Sequence, residues 1–144
     1  MIKVNSDTQQ ALSTLKNKFI EDIKKLPYYA EKYYNEDDDN LEILLFDIAW
    51  KGNKEARKTA EEFLKNVVAV LRRKKFNIFV PRRPRIENGE VFNVVRTNGA
   101  SGSKCYRIQL LSDDNTTKTI DAGLLIDAIV TGDGGYRETE IEEI

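Results

Sequence analysis

The chain contains no histidine, one cysteine and three prolines in its 144 residues. Without histidine there is no imidazole base, no Ser-His-Asp or Cys-His nucleophile and no imidazole-ligated metal. A single thiol, Cys105, excludes an internal disulfide and a thiolate zinc site, and cysteine scarcity fits a reducing compartment. Cys105 stands in an apolar/polar alternation, as a small residue on a strand does. Long hydrophobic runs are also missing. Val67 to Leu71 is typical of the longest, far below the ~20 residues that span a bilayer. Met1 to Asn5 lacks the apolar core of a signal peptide. These absences predict a cytoplasmic protein without membrane association.

No group of acids has a spacing that forces convergence. Glu36 to Asp39 lacks the alternation and central glycine of a calcium loop. Asp113, Asp114, Asp121, Asp127 and Asp133 are scattered and read as loop and surface acids. The expectation is therefore no catalytic residue, no metal, no cofactor and no enzyme.

What is present is a globular balance of 40% hydrophobic and 33% charged residues, in a length that suits one domain over 1–144. Ile, Asn and Lys number 13, 11 and 14, a usage expected of AT-rich coding as in low-GC bacteria and their phages, hence of a viral protein among the possibilities.

The periodicity predicts α+β: about three N-terminal helices in a helical part over 6–75, then a β part over 76–141. That part reads as a small antiparallel sheet, or an SH3/OB-like barrel, of four to five short strands. Leu12, Leu15, Phe19, Ile23 and Leu26 form one apolar stripe, preceded by Ser6–Gln9 in capping-box spacing and broken by Pro27. Tyr28, Tyr29, Tyr33 and Tyr34 can pack over helix ends or offer an aromatic platform. Asn40 caps a second helix over 41–50, Gly52-Asn53 separates it from a third, and Ala56 and Ala60 allow a close helix neighbour.

Phe76 to Val80 alternates as a strand, Asn88-Gly89 signals a tight turn, and 91–95, 104–111 and 116–120 are further strands. Segment 124–130 is apolar and fits either a strand or two helical turns. Tyr136 to Ile141 fits an edge strand, with the last residues frayed.

The net charge of −1 conceals a belt. Residues 71–85 carry seven basic and no acidic side chains: Arg72, Arg73, Lys74 and Lys75 before the strand, and Arg82, Arg83 and Arg85 after it. The two clusters lie roughly 20–25 Å apart if the strand is extended. Helix-end cations complement the helix dipole, which accounts for 72–75 alone. Arg82 to Arg85 has no such explanation, and Pro81 and Pro84 stiffen it. Its expected partner bears phosphate, most simply nucleic acid, met by Lys74, Lys75, Arg82, Arg83 and Arg85, with Phe79, Phe92 and Tyr106 available to stack on bases. The rival is pairing with the acidic tail, Glu138 to Glu143.

A second anion site is the loop Asn98 to Lys104. Its glycine amides, Ser101, Ser103 and Lys104 can face a phosphate, with Arg96 and Arg107 beside it. It is not a Walker A motif, since Ser103 separates Gly102 from Lys104 and a strand follows. This loop predicts a small-nucleotide binding or sequestering protein as the alternative. A protein–protein adaptor or inhibitor, acting on a host protein through the tyrosine-rich segment 28–34, the acidic run 36–39 and the acidic tail, is the third reading. Homo-oligomerisation fits any of the three.

Overall fold

The structure, a computed structural model, describes residues 1–32 and 40–144. The strands are β1 (Ile2–Lys3), β2 (Lys75–Phe79), β3 (Ile86–Asn98), β4 (Lys104–Leu111), β5 (Thr117–Asp121) and β6 (Glu140–Glu143). The helices are α1 (Ser6–Ile23), α2 (Pro27–Lys32), α3 (Leu41–Lys51), α4 (Lys54–Leu71) and α5 (Ala122–Thr131). The strand order is β1-β6-β2-β3-β4-β5, with β1 parallel to β6 and the other neighbours antiparallel. The α+β class holds, but the sheet is mixed and six-stranded. It is open at β1 and β5, so it is not the barrel that the short strands suggested. Nor are the helices all N-terminal, since α5 follows β5.

α3, α4 and α5 pack against β3, β4 and β5, and α1 lies against α4 and α5. Tyr106, Ile108 and Leu110 of β4 point into the core, and Leu12, Phe19 and Ile23 of α1 meet α4. Phe19 stacks on Phe63 with ring centroids 4.5 Å apart. Ala56 and Ala60 are fully buried, as expected of small residues where elements approach closely. Asn40 accepts from the Ile43 amide and Asn53 from that of Ala56, so both side-chain caps form.

Several local expectations are corrected by longer-range contacts. The capping box at Ser6–Gln9 does not form. Asn5 is the cap residue, and the Gln9 amide donates instead to Ile129 and Val130 carbonyls at the end of α5. The break expected before Pro27 is present: α1 ends at Ile23, and Pro27 opens α2, where its fixed φ suits the first turn. Segment 124–130 is helical, because Asp121 caps it by accepting from Leu124. Gly123 lets α5 meet α3 backbone to backbone: a Cβ there would lie 2.5 Å from Glu42 Cα.

Asn88-Gly89 makes no hairpin turn. Both residues lie within β3, where a register shift against β2 marks a bulge. A Cβ on Gly89 would sit 2.5 Å from Ile86 Cγ2, so glycine serves tight packing there. The chain turns earlier, at 80–85.

The C-terminus is not frayed. β6 lies inside the sheet between β1 and β2, and the Glu143 side chain is only 4% exposed. Its carboxylate accepts from the Asn5 amide at 3.2 Å, Asn5 Nδ2 at 3.0 Å and Thr8 Oγ1 at 3.3 Å. A second inward ion pair joins Lys16 Nζ to Asp127 Oδ1 at 2.9 Å, while Asp127 Oδ2 accepts from the Leu41 amide. Burial outweighs these partners and holds the Asp127 carboxyl above the usual range.

Candidate functional site

The basic belt occupies the two ends of β2. At its start, α4 closes with the Arg72 amide on Val68 and the Lys74 amide on Leu71, and Arg73 takes a left-handed φ of 71°. At its end, the Arg83 amide donates to Val80 at 3.0 Å, with Pro81 second in the turn and Arg82 third at φ 71°. That third position normally favours glycine. Both arginines therefore sit where a side chain costs about 1 kcal/mol relative to glycine.

The clusters differ in what surrounds them. Lys74 Nζ lies 3.5 Å from Glu143 Oε2, so the tail-pairing alternative applies to this residue. Lys75 is exposed, in register with Glu90. Arg82, Arg83 and Arg85 are exposed, and none forms an ion pair among the described residues. Arg85 lies over the Phe79 ring, 4.6 Å from its centroid.

The candidate stacking residues do not form one platform. Tyr106 is 2% exposed and donates to Glu61 Oε2 at 2.9 Å, so it packs the core; burial and that carboxylate push its phenol pKa up. Phe79 is half-buried beneath Arg85, and Phe92 is exposed near the second bulge of β3. The two tyrosines at 28 and 29 diverge: Tyr28 is exposed, whereas Tyr29 is buried and bonds Asp47. Tyr33, Tyr34 and the acids 36–39 lie outside the described residues.

The outer face of the sheet around Phe79 is a groove of about 400 Å³ lined by Glu87, Glu140 and Glu142 as well as Lys3 and Arg85. Its carboxylates disfavour a polyanion lying across that face.

The glycine loop is turned on itself. The Gly99 amide donates to Ser103, the Ser103 amide and hydroxyl both reach Ala100, and Lys104 Nζ donates to Asn98. Ser103 is buried, while Ser101 is exposed at φ 55°. A phosphate cradle using Ser103 and Lys104 is not formed. Arg96 is exposed, and its Nε donates to Ala49 O at 2.8 Å in the last turn of α3, which turns it toward that helix rather than the loop.

Arg83, Gly99, Ala100 and Arg107 nonetheless meet at another feature, a cavity of about 470 Å³. Ile43 and Phe46 of α3, Val80, Pro84, Leu124 of α5 and Cys105 contribute its apolar lining; Glu42, Asp121 and Arg137 contribute charge. Arg137 clasps Glu42 through Nε at 3.0 Å and Nη2 at 2.7 Å. Arg107 donates from Nε to Thr119 Oγ1 at 2.8 Å and from Nη2 to Thr119 O at 3.2 Å. Burial raises the Asp121 carboxyl, offset in part by its cap bond to Leu124.

Residue-by-residue inspection of the sequence missed this cavity and the anchoring role of Glu143. A signal for the cavity existed: Ile43, Phe46 and Trp50 make α3 apolar on its outer side too, and all three remain exposed. Among the described residues no three His, Cys, Asp or Glu side chains cluster as metal ligands, and no helix is long and apolar enough to cross a membrane.

Fold and site together define an open-sheet α+β protein with a stiff, exposed arginine loop beside an apolar cavity. Comparison with known proteins found no matching family model, no similar curated protein and no similar solved structure.

Proposed function

We propose that this chain is a non-enzymatic binding protein whose arginine loop engages a phosphate-bearing partner, most simply nucleic acid. The observation that carries the reading is the exposure of Arg82 and Arg83 with no carboxylate partner among the described residues. Free guanidinium groups offer forked donors that match phosphate oxygens, and each phosphate neutralised releases condensed counterions. Pro81 and Pro84 reduce the conformational freedom lost on binding. Contact of this kind is electrostatic and largely independent of base sequence. Arg72, Arg73 and Lys75 at the far end of β2 extend the positive field, whereas the acidic groove around Phe79 keeps the polyanion off the outer sheet face.

The test is fluorescence anisotropy of labelled single- and double-stranded oligonucleotides with the wild type and the Arg82→Gln/Arg83→Gln double variant. The reading expects binding that weakens about tenfold or more in the variant, given forked phosphate contacts at two sites. Equal affinity for both proteins, or no binding by the wild type at low salt, overturns it.

A further inference from the structure

The cavity beside the arginine loop is not explained by contact with a polyanion. Its volume of about 470 Å³ falls within the range of small-molecule sites. Its rim exposes apolar surface that the fold does not cover: Ile43 is 59% and Phe46 38% exposed. Water against those side chains is a standing reason for an apolar molecule to enter.

The polar groups decide which kind of molecule. Glu42 is occupied by the two-pronged clasp of Arg137. Asp121 is occupied as the cap of α5 and stands opposite Arg107 in the β4–β5 register. Arg107 spends two donors on Thr119 and has three N–H groups left. Arg83, at the mouth, forms no ion pair among the described residues. With Arg137 on Glu42 and Arg107 opposite Asp121, the lining holds three arginines against two carboxylates, and the positive charge in excess lies at Arg83.

We infer that this cavity binds a small amphipathic anion, with its apolar body against Ile43, Phe46 and Leu124 and its one acidic headgroup at Arg83 and Arg107. The headgroup can be a carboxylate, sulfonate or phosphate ester, since all offer oxygens to guanidinium donors. Ala100 and Gly99 form only a wall, so the site does not depend on a phosphate-cradling loop.

Anilinonaphthalene sulfonate, an apolar body with one anionic group, is the probe, and uncharged phenylnaphthylamine is its control. The inference expects saturable one-to-one fluorescence enhancement with the sulfonate and weaker binding of the neutral compound. Arg83→Glu then weakens the sulfonate by about tenfold, as loss of a charge-assisted contact does, with little effect on the neutral dye. Leu124→Trp fills the cavity and abolishes both signals. Because a half-buried tryptophan can disturb folding, Ile43→Gln at the exposed rim provides a second variant, which weakens both dyes. Sulfonate binding left unchanged by Arg83→Glu and Ile43→Gln overturns the inference, as does equal binding of both dyes to the wild type. Ile43→Gln leaves the arginine loop intact, so oligonucleotide binding by that variant separates failure here from failure of the polyanion reading.

Discussion

The two ends of β2 carry similar numbers of cations, and among the described residues one of them, Lys74 at the helix end, is tied to a carboxylate. At the helix end, Lys74 is drawn to a nearly buried carboxylate, Glu143, which also holds Asn5 and Thr8. At the loop end, Arg82 and Arg83 meet no acid among the described residues. Charge in a sequence is thus a count, whereas its availability depends on where distant acids arrive. Charges tied into the fold contribute to stability; charges left outside are free for a partner. The comparison predicts that substitutions divide into two groups, one read by denaturation and the other by binding.

The largest effect belongs to a tied pair elsewhere in the core. Lys16→Ala strands Asp127 beside α3 and is expected to destabilise the protein by about 3 kcal/mol in urea titration at neutral pH, without altering oligonucleotide affinity. The pH response has a definite sign. A carboxyl raised in the folded state binds protons that the unfolded chain has released, so stability falls as pH rises from the ordinary Asp range through the folded pKa. Removing Lys16 raises that pKa further, so the variant recovers more stability on acidification from neutral than the wild type does. A flat difference across that interval would contradict the placement of this pair.

Glu143→Ala comes next. It removes acceptors from the Asn5 amide, Asn5 Nδ2 and Thr8, with an expected loss of about 2 kcal/mol by the same titration. It also frees Lys74, so oligonucleotide affinity is expected to rise slightly. Lowered affinity in a folded variant would erase the distinction between the two ends of the strand.

The smallest effect is the most discriminating. Arg82→Gly relieves a left-handed φ, and it is expected to leave stability unchanged or raise it by about 0.5 kcal/mol while weakening polyanion binding. Arg73→Gly relieves the same strain at the helix end, with less effect on binding. Parallel losses of binding in both would make the belt one uniform surface.

Much of the helical layer was legible because its signals are local. Asn40 and Asn53 cap within three residues, and the stripes of α1 and α4 repeat every turn. The errors share a cause: residues whose local chemistry was overruled by a partner far along the chain. Gln9 bonds the end of α5 rather than its own helix, Glu143 anchors α1, and Gly89 accommodates Ile86 and Leu110 instead of turning the chain. The open sheet was hidden for the same reason, since the pairing of β6 between β1 and β2 joins opposite termini. At the candidate site, the exposed arginine loop was legible from its prolines and missing acids. The fates of Tyr106 and Arg96 were not, because each depends on which face of its strand it occupies and what lies there, and Ser103 is turned back onto Ala100 within its own loop.

The central claim is that the guanidinium groups beside Pro81 and Pro84 are available to phosphate. The most direct measurement is the salt dependence of oligonucleotide affinity between about 50 and 200 mM monovalent salt, for the wild type and the Arg82→Gln/Arg83→Gln variant. A steep logarithmic decline, made shallower by about 2 in the variant on duplex DNA, is the predicted result. An affinity that ignores salt, or a slope identical in the two proteins, would contradict it.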